Sequence, residues 1–341
     1  MIAASPFDVT FADDHRTWWR GRRVFVTGAN GLVGRSLVER LRGLGAEAVG
    51  FVRARAGREA CGPEGAGYEV AVGRLEDYAV LERTISERGF DVVFHLGAQA
   101  IVETARREPR ETLEANVAGT WNVLEACRRS RTPPRVVVAS TDRLYRASGP
   151  AEGGHSKGVA DVYGVSKLCA EEIVKTYSLA YDLPVVIART ANVFGPEDVN
   201  FSRLIPGTIR AVLSGNPPVI LSDGSPVHDY IYVEDVGEAY LCLAEALDGP
   251  GVQGMTMNVG SGVKTSVLDL SRMIIRLMGR SDLEPEVRGA PSGAKSASAT
   301  EEANPGRLAG WKPRYSLEQA LQETIAWYRA HPERVSATAV C

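Results

Sequence analysis

The 341-residue chain has no apolar run close to the ~20 residues that a membrane-spanning helix needs. Its N-terminal segment carries Asp8, Asp13 and Asp14, where a secretion signal would carry basic residues followed by an apolar stretch. The net charge is only −3 with both signs dispersed, so nothing favours binding to nucleic acid or to an anionic membrane. We therefore expect no nucleic-acid or membrane partner, and partners that are small molecules or a second copy of the chain.

Cysteine is scarce and irregularly placed. The chain has five cysteines, an odd number, and they show none of the paired spacings typical of metal sites. They are Cys61, Cys127, Cys169, Cys242 and Cys341. We expect reduced thiols, a cytoplasmic location and no bound metal.

The composition, 44% hydrophobic and 24% charged, is that of a globular chain able to bury one large core or two linked ones. Short strand-like apolar runs alternate with segments of helical apolar spacing. The predicted strands are 23–27, 46–52, 91–96, 135–140 and 184–189, and the predicted helices are 32–44, 77–88, 111–130 and 161–181. This alternation predicts an α/β fold with a Rossmann-like, doubly wound parallel sheet.

The pattern changes after Val193, where Gly and Pro pairs interrupt shorter elements. We expect a smaller second lobe there, which closes over a cleft, while part of the C-terminal region returns to the first domain. In the leading arm, Trp18 and Trp19 are expected to cover the edge of the first strand. The predicted segments are an arm at 1–20, a dinucleotide-binding domain at 21–193, the second lobe at 194–330 and a tail at 331–341.

A glycine-rich turn follows the first predicted strand. Gly28, Gly31 and Gly34 stand between that strand and a predicted helix. Glycines at this spacing let the backbone turn tightly and approach a pyrophosphate at the helix N-terminus. Taken alone the loop also suits a simple tight turn, but the strand and helix around it favour a dinucleotide.

A second motif lies on the predicted helix 161–181. Tyr163 and Lys167 are one helical turn apart, so the ammonium can lower the pKa of the phenol and let it remove a proton from a substrate hydroxyl. Alone the pair is more often two solvated residues on a helix. Together with the glycine turn it indicates hydride-transfer chemistry.

The chain resembles the extended short-chain dehydrogenase/reductase family, in particular its nucleotide-sugar epimerases and dehydratases, over about residues 18 to 330. Among these it is most similar to the CDP-glucose 4,6-dehydratases. The motifs that carry the resemblance, besides the two above, are 19–24, 93–99, 116–122, 189–196, 200–206 and 229–235. The resemblance implies NAD or NADP as a tightly bound cofactor and a nucleotide-diphosphate sugar as substrate.

The resemblance also implies roles for individual residues. The cofactor would be held by Gly28, Asn30, Gly31, Leu32, Val33, Gly34, Arg53, Leu75, Leu96, Gly97, Ala98, Tyr163 and Lys167. The substrate would be bound by Gln99, Asn192, Asn200, Arg203, Leu204 and His228, the last four in a nucleotide-sugar-binding lobe. Thr141 would hydrogen-bond the substrate C4 hydroxyl and complete a catalytic set with Tyr163 and Lys167, although a hydroxyl capping a strand end is about as good a reading of Thr141 alone.

Three departures from the family pattern concern binding. Arg53 stands where relatives commonly keep an acid for the adenosine ribose, and an arginine there can pair with a 2′-phosphate, which suggests NADP. A solvated Arg53 beside a 2′-hydroxyl is the alternative, so the choice between NAD and NADP stays open. Arg74 replaces an acid that contacts the adenine amine in relatives. His228 replaces a diphosphate-clamping arginine, so Arg203 or another cation would have to share the grip on the substrate.

The fourth departure concerns the reaction. In the dehydratases an Asp after the catalytic Thr protonates the departing C6 hydroxide, and the next residue, Glu or Lys, removes the C5 proton. Here the acid is Asp142, but the next residue is Arg143, whose guanidinium stays protonated at neutral pH and is a very poor base. We expect Arg143 to position substrate or stabilise charge near C5 and C6.

The shared first step oxidises C4 to a 4-keto sugar. Retention of the C5 proton then leads to C4 epimerisation, and its removal leads to 4,6-dehydration. The missing base favours epimerisation, while the whole-chain resemblance favours dehydration as the alternative. A non-catalytic NAD(P)-binding sensor is a third reading that the presence of both Tyr163 and Lys167 disfavours.

Two predicted helices carry apolar residues beyond one face. These residues are Trp121, Val123, Leu124, Val165, Leu168 and Ile173. A helix that is apolar on two sides needs a second partner, although deeper burial within one chain would serve as well. Because relatives pair through these helices, we expect a homodimer built around a four-helix bundle.

Overall fold

A computed structural model describes residues 15–53, 67–147, 161–249, 251–289, 306–307 and 311–336. Its strands are β1 Arg23–Thr27, β2 Glu47–Val52, β3 Glu69–Val72, β4 Val92–His95, β5 Arg135–Thr141, β6 Val185–Thr190, β7 Asn192–Phe194, β8 Val219–Ile220, β9 Val227–Tyr232, β10 Thr256–Val259, β11 Lys264–Ser266, β12 Glu286–Val287 and β13 Gly306–Arg307. Its α-helices are α1 His15–Trp19, α2 Leu32–Gly43, α3 Tyr78–Arg88, α4 Val102–Arg107, α5 Pro109–Leu113, α6 Gly119–Arg129, α7 Val162–Tyr181, α8 Leu204–Leu213, α9 Val233–Ala246, α10 Val267–Leu277, α11 Leu317–Ala330 and α12 Pro332–Ser336.

The contacts divide the chain into two compact units. The first contains residues 1–190, 237–259 and 300–311, and the second contains 191–236, 260–299 and 312–341. Segments from the C-terminal part of the chain, 237–259 and 300–311, therefore belong to the first unit. The assignment of the second unit to nucleotide-sugar binding stays a prediction.

The first unit is built on one eight-stranded sheet. Its order is β13-β10-β6-β5-β4-β1-β2-β3, and all its strand pairs are parallel. The central strand β1 is buried from Val24 to Thr27, as expected for a strand covered by helices on both faces. The predicted Rossmann-like fold is confirmed, with β3, β10 and β13 added to the strands that the sequence analysis identified.

Helices α3, α6 and α7 pack against one face of this sheet. Their apolar residues form a core with Phe25, Phe51 and Val138. Val123 and Leu124 of α6 are fully buried in that core. The sheet and α3 cover these two residues, so they form the core-facing side of α6, and pairing through the other side of this helix stays a prediction.

The predicted arm lies outside the described residues except for its end, and that end, helix α1, packs inside the first unit. Trp19 of α1 is fully buried, with its ring stacked 6.0 Å from that of Phe94 on β4. Its indole N–H donates to Glu245 of α9 at 2.6 Å. The expectation that Trp18 and Trp19 cover an edge of β1 is wrong, because β1 is paired on both sides by β2 and β4.

The predicted helix 111–130 is interrupted. Helix α5 passes into a π-helical turn at Glu114–Ala118 before α6 begins at Gly119. A π-turn rotates the side chains that follow it and is frequent at functional sites. Here it carries the buried Asn116.

The second unit has a three-stranded sheet, in the order β11-β9-β7, and a short pair β12-β8. Helices α10 and α11 begin at serine caps, since Ser266 accepts from Asp269 N and Ser316 forms a capping box with Gln319. Among the described residues, no helix is long and apolar enough to cross a membrane.

Candidate active site

The glycine turn joins β1 to α2 as predicted. Gly28 has a φ of +71°, and a Cβ there would lie 2.9 Å from the Cα of Gly97. A Cβ on Gly34 would lie 2.2 Å from the carbonyl oxygen of Gly28. Gly31 is the N-cap residue of α2, and it makes no side-chain capping bond. A close-packed turn that leads into a helix N-terminus fits a dinucleotide pyrophosphate.

The other residues predicted to line the cofactor gather at the carboxyl ends of the neighbouring strands. They are Asn30, Leu32 and Val33 after β1, Leu75 after β3, and Leu96, Gly97 and Ala98 after β4. A Cβ on Gly97 would lie only 3.0 Å from Leu75 Cδ1 and 3.2 Å from Thr27 Oγ1. The loops after β3 and β4 therefore close against β1, and the contact of these residues with a cofactor stays a prediction.

A buried histidine lies below this turn. His95 Nδ1 is 2.9 Å from Thr27 Oγ1, and His95 Nε2 is 3.0 Å from Thr120 Oγ1. Burial lowers the pKa of His95 to about 3, and the charge of Lys167 adds to this shift. The imidazole is therefore neutral.

The neighbours of His95 determine its tautomer. Thr120 Oγ1 donates its proton to the carbonyl of Asn116 at 2.6 Å, so His95 Nε2 is the donor to Thr120. Thr27 Oγ1 accepts from the N–H groups of Leu96 and Gly97, and it donates to His95 Nδ1. This chain of hydrogen bonds fixes the loop after β4 on which the predicted cofactor-lining residues lie.

Asn116 ties the same loop to the helix that carries Tyr163. Its side chain accepts from Gln99 N at 2.7 Å and donates to Gln99 O at 3.1 Å. It also donates to Ser166 Oγ at 2.8 Å, and that hydroxyl donates to Tyr163 O at 2.7 Å. The side-chain oxygen of Gln99 accepts from Ile101 N at 3.0 Å, so it supports the loop, and its contact with substrate stays a prediction.

Arg53 and Arg74 follow two adjacent strands. Arg53 is exposed at the end of β2, and Gly73 N donates to Val52 O at 3.0 Å, which brings the start of the next loop beside it. Arg74 is also exposed and forms an ion pair with Glu76 at 3.4 Å. Both guanidinium groups therefore lie at the carboxyl edge of the sheet, where the cofactor ribose is expected.

The predicted catalytic residues lie on two neighbouring elements. Thr141 is the last residue of β5, while Tyr163 and Lys167 are in the first turns of α7, and all three are buried. Lys167 Nζ donates to Ala139 O of β5 at 2.8 Å. Burial lowers the pKa of Lys167 to about 8, and the carboxylate of Glu171 opposes this shift.

Arg143 lies between these elements. Its backbone N–H donates to Thr141 Oγ1 at 3.3 Å, and its guanidinium is 3.5 Å from the carboxylate of Asp161. Asp161 caps α7 by accepting from Gly164 N at 2.7 Å. Asp142 stands between Thr141 and Arg143 in the 3-10 helix 142–147 and is half-buried.

In the second unit, the predicted substrate residues are engaged in local bonds. Arg203 is the residue before α8, and its guanidinium donates to the buried Asp198 at 3.0 Å. Asn200 Oδ1 accepts from Ser202 N and Ser202 Oγ, while Leu204 begins α8. Burial raises the pKa of the Asp198 carboxyl, and the nearby charge of Arg203 opposes this shift. The ion pair with Asp198 partly neutralises the charge of Arg203.

Asn192 and His228 lie on the small sheet of the second unit. Asn192 Nδ2 donates to Asp229 O at 3.3 Å. His228 is half-buried on β9, and its ring meets that of Tyr230 edge to face with centroids 6.0 Å apart. The binding of substrate by these residues stays a prediction.

The sequence analysis missed several residues that shape the site. They are Thr27, Asn116, Thr120, Asp161, Glu171 and Arg189. Two of them could have been found from the sequence. Asn116 begins the family motif 116–122, and Glu171 follows Lys167 by one helical turn. Among the described residues, no cluster of His, Cys, Asp and Glu is arranged to hold a metal ion.

Comparison with known proteins identifies the family. The model of the NAD dependent epimerase/dehydratase family matches residues 24–260, which include the glycine turn, Thr141, Tyr163 and Lys167. The chain belongs to this family. The predicted family and its nicotinamide cofactor are thereby confirmed, whereas the CDP-glucose branch stays a prediction.

Three proteins illustrate the likeness within the family. A trifunctional enzyme of Arabidopsis thaliana that includes UDP-glucose 4,6-dehydratase activity is 30% identical over 78% of this chain, which spans only 39% of that enzyme's length. A UDP-glucose 4-epimerase of Mycolicibacterium smegmatis is 29% identical over 90% of this chain and 98% of its own. The solved structure of Thermus thermophilus UDP-glucose 4-epimerase with NAD is 27% identical, with a TM-score of 0.72 over 90% of this chain and 99% of that one.

Proposed function

We propose that this protein is an NAD(P)-dependent nucleotide-sugar 4-epimerase. One observation carries the proposal: beside an intact set of Thr141, Tyr163 and Lys167, the position that would hold the C5 base is Arg143, which is paired with Asp161. The second candidate is a 4,6-dehydratase. It is favoured by Asp142 at the acid position and by the dehydratases among the homologues.

The glycine turn and the loops after β3 and β4 would hold the cofactor. The nicotinamide supplies, when bound, reversible acceptance of a hydride from the sugar C4. The structure offers Gly28 and Gly34 for a close approach of the pyrophosphate and the N-terminus of α2 for its charge. Arg53 at the end of β2 suits either a 2′-phosphate or a solvated position beside a 2′-hydroxyl.

Proton transfer is assigned to Tyr163. Its phenol oxygen would take the proton of the C4 hydroxyl and return it at the end of the cycle. The ammonium of Lys167, one turn along α7, would stabilise the phenolate and bind the nicotinamide ribose. Thr141 would hydrogen-bond the C4 oxygen and hold it towards Tyr163.

Retention of the C5 proton distinguishes the two outcomes. A guanidinium stays protonated at neutral pH, so Arg143 cannot accept that proton. The 4-keto sugar would then turn within the site and be reduced on its opposite face, which inverts C4. Elimination would need another base within reach of C5.

Nucleotide-diphosphate sugars are the proposed substrate class, because the homologues include a UDP-glucose 4-epimerase and a dTDP-glucose 4,6-dehydratase. In the second unit, Arg203, Asn200 and Leu204 at the start of α8, with Asn192 and His228, would bind the nucleotide and diphosphate. Gln99 would contact the sugar.

We also propose a homodimer paired through α6 and α7. The support is a set of large apolar side chains that these helices leave exposed, with Leu179 at 87%. The set consists of Trp121, Val165, Leu168, Leu179 and Tyr181. A cytoplasmic location is supported by the free thiols of Cys127 and Cys169 among the described residues.

Product analysis tests the function. Purified protein is incubated with UDP-, dTDP- and CDP-glucose and with their N-acetylhexosamine counterparts, with Tyr163→Phe as the control. An isobaric product with inverted C4 in the NMR spectrum supports the epimerase. A product lighter by the mass of one water supports the dehydratase, and turnover of none of these substrates supports a non-catalytic sensor.

A further inference from the structure

A buried ion pair lies one helical turn beyond Lys167 and has no role in the mechanism above. Glu171 is only 2% exposed and follows Tyr163 and Lys167 at four-residue spacing, so the three residues share one stripe of α7. Its carboxylate accepts from Arg189 Nε at 2.8 Å and Nη2 at 2.5 Å. Its Oε1 also accepts from Ser140 Oγ at 2.5 Å.

The partners of Glu171 come from two strands. Ser140 on β5 and Arg189 on β6 are directly paired in the parallel ladder. Lys167 Nζ bonds Ala139 O, on the residue before Ser140. The carboxylate and the ammonium of α7 are therefore anchored to consecutive residues of β5, which holds Glu171 in a defined position relative to Lys167.

Stability alone does not explain this pair. Replacement of a buried ion pair by apolar residues of similar volume is often neutral or stabilising, because two charges no longer need to be desolvated. The position of the carboxylate suggests a use for it. A negative charge fixed near a buried ammonium favours the charged form of that ammonium.

We propose that Glu171 is a positioning residue that keeps Lys167 protonated at the pH at which the enzyme works, with Arg189 and Ser140 holding its carboxylate in place. The proposal rests on the proposed function, since a cationic Lys167 matters because Tyr163 must become a phenolate. Burial acts against the ammonium and brings the pKa of Lys167 to about 8, even with the opposing effect of Glu171. Loss of that carboxylate would leave burial unopposed, and Lys167 would lose its proton near neutral pH.

Charged groups on the other elements packed against α7 do not take the place of Glu171. His95 of β4 interacts electrostatically with Lys167, but it is neutral. Arg189 of β6 is positive and would lower the pKa of Lys167 further if its partner were removed. On the 3-10 helix 142–147, Arg143 pairs with Asp161, and on α6, Glu125 pairs with Arg128. On α4, Glu103 lies 3.9 Å from Arg106, and Arg110 of α5 pairs with Glu114 of the π-turn at 2.7 Å.

The test measures the titration of Lys167 directly, in the protein with its bound cofactor and without substrate. The chain has six lysines, so the side-chain signals of protein labelled with 13C and 15N at lysine can be followed by NMR as the pH is raised. The signal absent from Lys167→Arg identifies Lys167. This measurement does not depend on which sugar is turned over, so its outcome is separate from that of the proposed function.

We expect the midpoint of Lys167 in Glu171→Gln to fall by about one pH unit or more below that of the wild type. Glu171→Asp keeps the carboxylate, so its midpoint should lie closer to the wild-type value. The alkaline limb of the kcat/KM profile should move with the NMR midpoint in both variants. A wild-type midpoint in folded Glu171→Gln would overturn the proposal and leave the pair a purely structural one.

Glu171→Gln leaves Arg189 buried without its partner and can fail to fold. Glu171→Met combined with Arg189→Met removes both charges and keeps the volume. We expect this variant also to titrate Lys167 at lower pH than the wild type, because the attractive carboxylate is gone. An unchanged midpoint in the double variant would equally refute the role of Glu171.

Discussion

The guanidinium of Arg143 lies 3.5 Å from the carboxylate of Asp161, the residue that caps the helix carrying Tyr163. Arg143 also donates its backbone N–H to the hydroxyl of Thr141. The residue at the position of the expected base is therefore a link between the end of β5 and the start of α7. This arrangement leaves no proton acceptor at Arg143 and ties it to both halves of the candidate catalytic set.

Asp161 should contribute to stability mainly as a helix cap. Asp161→Ala is expected to lower the free energy of unfolding by about 0.5–2 kcal/mol, because Gly164 N loses its acceptor. Asp161→Asn keeps a capping oxygen and loses only a partly exposed ion pair, so it should cost less than about 0.5 kcal/mol. Urea denaturation of both variants measures the difference, and equal losses would argue against the cap as the main contribution.

Tyr163→Phe should lower turnover by about 10²–10⁴-fold, because the group that exchanges a proton with the substrate is lost. Bound cofactor should remain, since the ring keeps its shape. Turnover and the cofactor content of the purified protein are the two measurements. Tyr181→Phe, at the exposed end of the same helix, is the matched control and should leave both unchanged.

Turnover in D₂O should give product without deuterium at C5. Arg143 retains its proton, so the C5–H bond is never broken in the proposed epimerisation. Arg143→Glu restores a carboxylate next to Asp142 and should slow epimerisation while allowing some elimination. Deuterium at C5 of the wild-type product, seen by NMR, would instead assign the enzyme to the dehydratases.

His95 should make the stability depend on pH. The native imidazole stays neutral down to about pH 3, whereas the unfolded chain binds a proton near the ordinary pKa of ~6.5. The unfolded state therefore binds more protons between these values, and the free energy of unfolding falls as the pH drops below about 6.5. The contribution of one such group is at most ~1.4 kcal/mol per pH unit.

His95→Gln should remove the contribution of one titrating group from the slope of the free energy of unfolding against pH. Its stability at pH 7 will also drop, because the bonds to Thr27 and Thr120 change. Denaturation at several pH values between 4 and 7 gives the slope. His331→Gln is the control, since His331 directly follows α11 near the end of the described chain, and its Nδ1 lies 2.8 Å from Trp327 O of that helix. Equal slopes in all three proteins would contradict the prediction.

The proposed dimer predicts that a charge on α6 or α7 releases monomers. Trp121→Glu or Leu168→Glu puts a carboxylate into the apolar surface that would be buried between copies, which is costly without a partner. Light scattering at micromolar concentration should then give the monomer mass. Leu221→Glu is the control, because Leu221 is exposed but lies outside α6 and α7, and this variant should remain a dimer. A monomeric wild-type protein would disprove the pairing.

Much of the backbone was predictable from local spacing. Gly28 and Gly34 are required by a positive φ and by carbonyl contacts within a few residues, so the turn is encoded where it occurs. The four-residue step from Tyr163 to Lys167 likewise places both on one side of a helix. The break in the predicted helix 111–130 was less predictable, because the π-turn at 114–118 carries Asn116, whose partner Ser166 is distant in the sequence.

The sequence by itself determined the parallel α/β fold, the glycine turn after β1 and the one-turn spacing of Tyr163 and Lys167, because each depends on the order of strands and helices or on spacings of a few residues. The catalytic role of Thr141, Tyr163 and Lys167 stays a prediction. Only the tertiary structure decided which side chains are partners across long separations. It paired Arg143 with Asp161, Glu171 with Arg189 and His95 with Thr27. The physical reason is that burial and charge pairing depend on which strands lie side by side, and no local pattern carries that information.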